Sequence, residues 1–180
     1  MQNSVPDSEI SLATAKRRLL SIVYDSLLLA AVLFIAFAIF LKFTQFAGIE
    51  ASHSIKSVYL LSIIFFFYAG FWTHGGQTLG MKTWRIKLVH ENGQGIRWQQ
   101  ALLRYLCALP SWFIILIGTS GLILKTLPFP EPFVWVNKIP MGIILGIGLV
   151  MLYIEQRPGN WRDRFSHTRV IMINPSSNAS

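Results

Sequence analysis

Long apolar runs alternate with short polar segments along this chain of 180 residues. The first run covers residues 19–41 and, as a helix, would extend roughly 34 Å, enough to cross a hydrocarbon core of about 30 Å. Two further runs cover residues 55–72 and 101–124. A fourth, over residues 133–154, reaches a spanning length only if it includes an Asn-Lys pair and Pro140. The pattern predicts four transmembrane helices.

In the segment after the second run, the spacing of apolar residues changes from that of a helix to that of a strand. Residues 83–89 alternate apolar and basic side chains, which is typical of a half-buried strand. A turn rich in Gly and Asn follows, after which residues 96–98 could return as a short second strand. The β-branched residues of 168–173 could add a third strand. We therefore predict an all-α membrane protein, a four-helix transmembrane bundle with a small cytoplasmic β-hairpin or three-stranded sheet.

Composition supports a membrane location. Apolar and aromatic residues make up 53% of the chain, charged residues only 13%, and the mean hydropathy is +0.49. A soluble domain carries about 25% charged residues, so part of this surface must face lipid. We expect one transmembrane domain over residues 15–173, with a disordered N-terminus at 1–14 and a disordered tail at 174–180.

The basic residues indicate the orientation. Of the 16 Lys and Arg residues, 12 lie in the N-terminal segment, in the 73–104 region and after residue 154, while 4 lie in the two remaining loops. The positive-inside rule places the richer side in the cytoplasm, which puts both termini there and requires an even number of spans. Because the net charge of +8 is spread over helix ends and forms no single basic face, we expect no nucleic-acid partner.

Asp25 is the most informative residue, because its carboxylate lies within the first apolar run, seven positions after Arg18. An ionised Asp at a helix centre costs about 2.5–3.5 kcal/mol on insertion scales. A basic partner, a water-filled cavity or a proton must offset that cost. The candidate partners are Arg18, Arg104, and Arg162 or Arg164 of the tail. An ion or proton site and a structural salt bridge are equally compatible with the sequence.

Two further segments carry polar residues of interest. Asp163 lies between two arginines, and it either belongs to a solvated charge cluster or pairs at the cytoplasmic mouth of the bundle. The HGGQTLGMKT segment lacks the Lys that a phosphate-binding loop needs directly after its second Gly, so we reject a nucleotide site. We expect a tight structural loop formed by Gly76, Gln77, Thr78 and Gly80.

The sequence contains no legible catalytic or metal-binding set. The four histidines have no metal-ligand spacing, no Ser-His-Asp triad or acid pair can be recognised, and Cys107 is the only cysteine. We therefore expect no enzymatic activity, no metal and no cofactor.

Three segments together resemble the RDD family of membrane proteins, which is named for one arginine and two aspartates. They are RRLLSIVYD, with Arg18 and Asp25, GQTLGMKTWRIKLV followed by LLRYL, and RDRFSHTRVI, with Asp163. Their order covers the chain from about residue 15 to 173. Met81 is a small departure, because many relatives carry a basic residue at that position.

The resemblance implies a bacterial inner-membrane protein suspected of transport, without a settled substrate. Our leading hypothesis is cation/proton exchange that uses Asp25, with Arg18 and Arg104 setting its charge, in a homo-oligomer because four helices leave little room for a pathway. The partners would be the lipid bilayer and a small cation or proton. The alternative is an accessory or scaffold protein without transport activity, whose Arg and Asp charges are structural.

Overall fold

The computed structural model describes residues 11–124 and 133–173. It is mostly helical. In chain order the elements are α1 (Ala15–Phe46), α2 (His53–His74), α3 (Leu79–Thr83), β1 (Ile86–His90), α4 (Trp98–Leu124), a 3-10 helix (Phe133–Lys138), α5 (Met141–Glu155), α6 (Trp161–Phe165) and β2 (Thr168–Met172).

Within the described residues, three helices are long and apolar enough to cross a membrane, namely α1, α2 and α4. Each contains one of the first three predicted spans. α1 and α2 extend beyond their spans at both ends and α4 at its N-terminal end, because polar residues there continue the helix into the interfacial region. The buried side chains of α1 are Arg18, Ser21 and Asp25, and its apolar side chains are half-buried or exposed, as expected of a helix whose solvent is lipid.

The predicted fourth span is not one continuous helix. The described residues divide it into the 3-10 helix and α5, which has 15 residues and is shorter than the other three. Pro140 stands at the N-cap of α5, where its missing N–H costs nothing, and its ring disfavours helical geometry in the residue before it. The count of four spanning helices is therefore not confirmed.

A two-stranded antiparallel sheet lies at one end of the helices, and its pairing differs from the predicted hairpin. β1 pairs with β2, with Leu88 opposite Val170. Residues 96–98 do not return as a strand, because the Gln100 side chain accepts a hydrogen bond from the Arg97 N–H and starts α4 there. The additional pairing comes from the N-terminal side, where Leu12 forms an isolated bridge with Ile171.

Residues that precede the predicted start of the domain at residue 15 also have defined contacts. Ala13 is completely buried, and its N–H donates to the Val170 carbonyl. The predicted disorder at residues 1–10 and 174–180 lies outside the described residues. A compact core, formed where the sheet packs on the helix ends, includes Trp72, Ile86, Leu88 and Val170.

Close packing between α4 and α5 depends on Gly118 and Gly148. A Cβ on Gly142 or Gly146 would meet nothing within 4 Å. A Cβ on Gly118 would instead lie 2.6 Å from the backbone nitrogen of Leu145, and one on Gly148 would lie 2.9 Å from that of Ile115. The two helices approach along these positions.

Candidate functional site

Asp163 is the centre of a buried charge cluster formed by distant parts of the chain. Nη1 of Arg18 in α1 lies 2.7 Å from its Oδ2, and Nη1 of Arg104 in α4 lies 2.7 Å from its Oδ1. All three side chains are at least 94% buried. We call Arg18, Arg104 and Asp163 the charge cluster. It joins the first helix, the third long helix and the C-terminal segment.

The rest of the cluster is hydrogen-bonded to backbone and hydroxyl groups. Arg18 also donates from Nε to the Ala13 carbonyl at 3.2 Å and from Nη2 to the Val170 carbonyl at 3.5 Å. Arg104 donates to the Thr168 hydroxyl at 2.8 Å. A guanidinium offers five N–H donors in a fixed plane, so one arginine can hold several acceptors at once.

The local sequence of α6 fixes the position of Asp163. Asn160 caps this short helix, and its side chain accepts from the Asp163 N–H at 2.9 Å. Asp163 thus lies in the first turn, where the exposed backbone N–H groups favour a negative charge. The fixed first turn directs its carboxylate to α1 and α4.

Asp163 and Arg162, both on α6, have shifted pKa values. Burial alone would raise the pKa of Asp163, but Arg104 and Arg18 outweigh burial through their charges and hydrogen bonds, so the pKa lies below its usual range. Burial and the nearby charge of Arg104 lower the pKa of Arg162 to about 10, against the opposing effect of Glu155 and Asp163. Asp163 is ionised at neutral pH and Arg162 remains protonated.

Asp25 lies apart from the charge cluster, and its partners are different from those expected. Its Oδ2 accepts from the Thr78 hydroxyl at 2.5 Å, and its Oδ1 accepts from the Gly80 N–H at 2.8 Å. No salt bridge within the described residues includes Asp25. Arg18 and Arg104 bind Asp163 instead, so the expectation that they set the charge of Asp25 is wrong.

The four residues assigned to the structural loop all have specific contacts. Gly76 has a φ of +71°, and a Cβ there would lie 2.5 Å from the Leu88 carbonyl. The Gln77 side chain donates to the Ile86 carbonyl at 2.8 Å, and the Thr78 side chain caps α3. A Cβ on Gly80 would lie 2.9 Å from Cγ of Asp25 and would overlap the Ser21 carbonyl. The loop is thus shaped to bring its donors to Asp25.

A cavity of about 340 Å³ separates α1, α2 and α4 next to these residues. Its lining is mostly apolar. The polar or charged side chains at its end near the sheet include Arg18, Asp25, Thr78, Arg104, Gln156 and Arg162. Asp25 and the two arginines of the charge cluster therefore border one cavity between helices, which hydropathy along the chain cannot reveal.

Glu155 and Gln156 were not identified from the sequence. Glu155 is completely buried at the end of α5, with Oε2 accepting from the Ser111 hydroxyl at 3.0 Å. Within the described residues, Glu155 Oε1 and Gln156 Nε2 are buried without a hydrogen-bond partner. The sequence signal that could have identified Glu155 is an acidic residue directly after the apolar run of residues 133–154. Over residues 11–124 and 133–173, no group of three His, Cys, Asp or Glu side chains could hold a metal ion.

Comparison with known proteins identifies one family. The model of the RDD family matches residues 12–167, which include Arg18, Asp25 and Asp163. No curated protein and no solved structure matches the chain.

Proposed function

Because the chain belongs to the RDD family, we propose that this membrane protein has a transport role, the exchange of a small cation for a proton, with Asp25 as the ion- or proton-binding group. One observation carries the proposal. Asp25 borders the cavity between three apolar helices, and within the described residues no basic side chain forms a salt bridge with it. An intramembrane carboxylate without a fixed counter-charge can bind and release a cation or a proton.

In this proposal the charge cluster has a structural role. Its Asp163 is held by two arginines at 2.7 Å and is not free to exchange ions. It instead ties α1, α4 and α6 together and keeps the cavity open beside Asp25.

The proposed membrane arrangement uses the 3-10 helix and α5 together as the fourth span. The distribution of basic residues, 12 against 4, supports a cytoplasmic location for both termini. We place the protein in the inner membrane of a bacterium, as a homo-oligomer in which a second copy completes the pathway. Enzymatic activity forms no part of the proposal.

The test is ion flux in proteoliposomes that contain either the wild-type protein or Asp25→Asn. We expect cation-dependent proton flux from the wild type and loss of flux in Asp25→Asn, because the amide carries no charge. Glu91→Gln removes an exposed carboxylate at the sheet and serves as the control that retains flux. Equal flux from the wild type and Asp25→Asn, or no flux from the wild type, would contradict the assignment.

The charge cluster also favours a second candidate function. Arg18, Arg104 and Asp163 are fully engaged with one another and with neighbouring groups, as in a protein whose charges are structural. An accessory or scaffold protein of this kind would show no flux with or without Asp25→Asn, and that substitution would only lower its melting temperature. Cross-linking followed by identification of co-purified proteins would then find its partner.

A further inference from the structure

Gln156 has a buried donor without an acceptor. The residue follows α5, is 3% exposed and borders the cavity. Within the described residues, its Nε2 has no hydrogen-bond partner. A buried N–H group without a partner is costly, and a bound molecule that supplies the acceptor is one way to remove that cost.

Arg162 borders the same cavity, and within the described residues no carboxylate lies within salt-bridge distance of its guanidinium. Within the described residues, its side chain makes one hydrogen bond, from Nε to the Arg104 carbonyl at 3.3 Å, and forms no salt bridge. Its guanidinium lies 5.9 Å from the centroid of the Trp72 ring, on which the Arg104 guanidinium also lies at 5.9 Å. The carboxylate of Asp163 is already bound by Arg18 and Arg104.

Arg162 is the arginine of the cavity lining that forms no salt bridge within the described residues. Arg18 and Arg104 share Asp163, whereas Glu155 acts on Arg162 through its charge without a salt bridge. Oδ2 of Asp25 accepts one hydrogen bond from Thr78 and Oδ1 accepts one from Gly80, so within the described residues this carboxylate is bonded to neither Arg162 nor Gln156. An anion beside Arg162 and Gln156 would supply the missing acceptor and counter-charge.

The remaining walls are apolar, and part of them faces the surroundings of the helices. Ala30 on α1 and Phe113 and Leu116 on α4 border the cavity and are exposed. The cavity thus opens between α1 and α4, two of the helices that could cross a membrane. Molecules that enter there come from the bilayer. Its volume of about 340 Å³ is at the small end of ligand pockets, which hold roughly 300–1,000 Å³.

We propose that this cavity binds an anionic phospholipid of the surrounding bilayer. The lipid phosphate accepts hydrogen bonds from Arg162 and Gln156, and one acyl chain lies along the apolar wall between α1 and α4. Basic pockets between transmembrane helices bind lipid phosphates in this way, and the bilayer supplies the ligand at high concentration. The inference goes beyond the proposed function, because lipid would bind whether the protein exchanges ions or serves as an accessory protein.

The first test fills the cavity. Ala30→Trp places a large side chain in the wall, while Ala31→Trp places the same side chain at the next, equally exposed position, which does not border the cavity. The full chain is purified in detergent, and bound lipid is counted by native mass spectrometry after addition of phosphatidylglycerol. We expect retention of lipid by the wild type and Ala31→Trp and its loss in Ala30→Trp. Equal retention by the two variants would overturn the proposal.

The second test removes the unpaired donor. Gln156→Leu keeps the volume of the side chain, and because the Nε2 donor has no protein partner, we expect the variant to fold as stably as the wild type without added lipid. Loss of a hydrogen bond to a charged phosphate weakens binding about tenfold or more. Lipid that binds only the folded protein raises its melting temperature. The increase caused by phosphatidylglycerol should therefore be smaller in Gln156→Leu than in the wild type.

A comparison of added ligands distinguishes the possible sources of the anion. Phosphatidylglycerol is compared with phosphatidylcholine, which carries no net charge, with sodium palmitate, and with inorganic phosphate, each added to the wild type. The proposal requires the largest increase in melting temperature from phosphatidylglycerol. An equal increase from palmitate or from inorganic phosphate would contradict a phospholipid, and an equal increase from phosphatidylcholine would contradict recognition of an anion. Neither outcome depends on whether the protein transports ions.

Discussion

Arg18 and Asp163 are 145 positions apart in the chain, and Nη1 of Arg18 lies 2.7 Å from Oδ2 of Asp163. Both side chains are almost entirely buried. A buried ion pair gains stability only when its remaining donors and acceptors are also satisfied. Here Arg104 binds the second carboxylate oxygen, and the Ala13 and Val170 carbonyls accept from Arg18. The pair therefore joins the start and the end of the described chain.

Removal of the Asp163 charge should destabilise the fold strongly. Asp163→Asn would leave Arg18 and Arg104 buried without their shared carboxylate. Breaking a buried pair in this way costs about 3–5 kcal/mol of the free energy of unfolding. The measurement is thermal unfolding in detergent. Glu91→Gln removes the exposed partner of His167 and should change stability by no more than about 1 kcal/mol. A melting temperature for Asp163→Asn as high as that of Glu91→Gln would contradict this role.

The same carboxylate should make stability depend on pH in the acid range. The pKa of Asp163 is lower in the folded protein than its ordinary value of 3.8, so the unfolded chain binds its proton more readily. Its stabilising contribution is complete above the unfolded pKa and is lost as the pH falls through the folded pKa. The difference in melting temperature between wild type and Asp163→Asn should be constant from neutral pH to about pH 5 and shrink below pH 3.8. A difference that grows on acidification would refute this linkage.

We expect that a positive charge alone is not sufficient for stability at position 18. Arg18→Lys keeps the positive charge, but a lysine cannot reach the Asp163 carboxylate and the Ala13 and Val170 carbonyls together. Buried carbonyls left without a donor cost about 1–3 kcal/mol, so the melting temperature should fall. Arg17→Lys changes the neighbouring, half-buried arginine and should have little effect. Equal melting temperatures for the two variants would show that position 18 requires only a positive charge.

A methyl group at Gly80 should disturb the site of Asp25. In Gly80→Ala the new Cβ would lie 2.9 Å from Cγ of Asp25 and would overlap the Ser21 carbonyl. Overpacking of this kind costs about 1–3 kcal/mol, because α3 must move away from α1. Gly70→Ala is the control, since a Cβ at that position in α2 meets nothing within 4 Å. Thermal unfolding of both variants tests the prediction, and an unchanged melting temperature for Gly80→Ala would refute the close approach.

Much of the helical architecture could be predicted because hydropathy is a local property of the chain. The apolar runs around Leu29, Ile64 and Leu116 each have enough length to cross a bilayer, and all three lie in long helices. The prediction of a fourth span depended on the residues around Pro140, where hydropathy favours a span but the proline disfavours a continuous helix. Length and composition therefore predicted one span over residues 133–154, which in the structure is divided at Pro140 into the 3-10 helix and α5.

The pairing of strands could not be predicted in the same way. The alternation around Leu88 indicated a strand, and the β-branched residues around Val170 indicated another. A short turn after His90 made the local partner at residues 96–98 attractive, but those residues lead into α4. The strand that pairs with β1 is instead supplied from the far end of the chain.

Sequence alone determined that the carboxylate of Asp25 is costly inside an apolar helix, and it identified Arg18, Arg104 and Asp163 as candidates without showing that they meet. The tertiary structure alone decided that the arginines bind Asp163, whereas Asp25 accepts hydrogen bonds from Thr78 and Gly80. The physical reason lies in the donors. A backbone N–H is present at nearly every residue and leaves no mark in the sequence, so only the folded chain shows which one reaches a distant carboxylate.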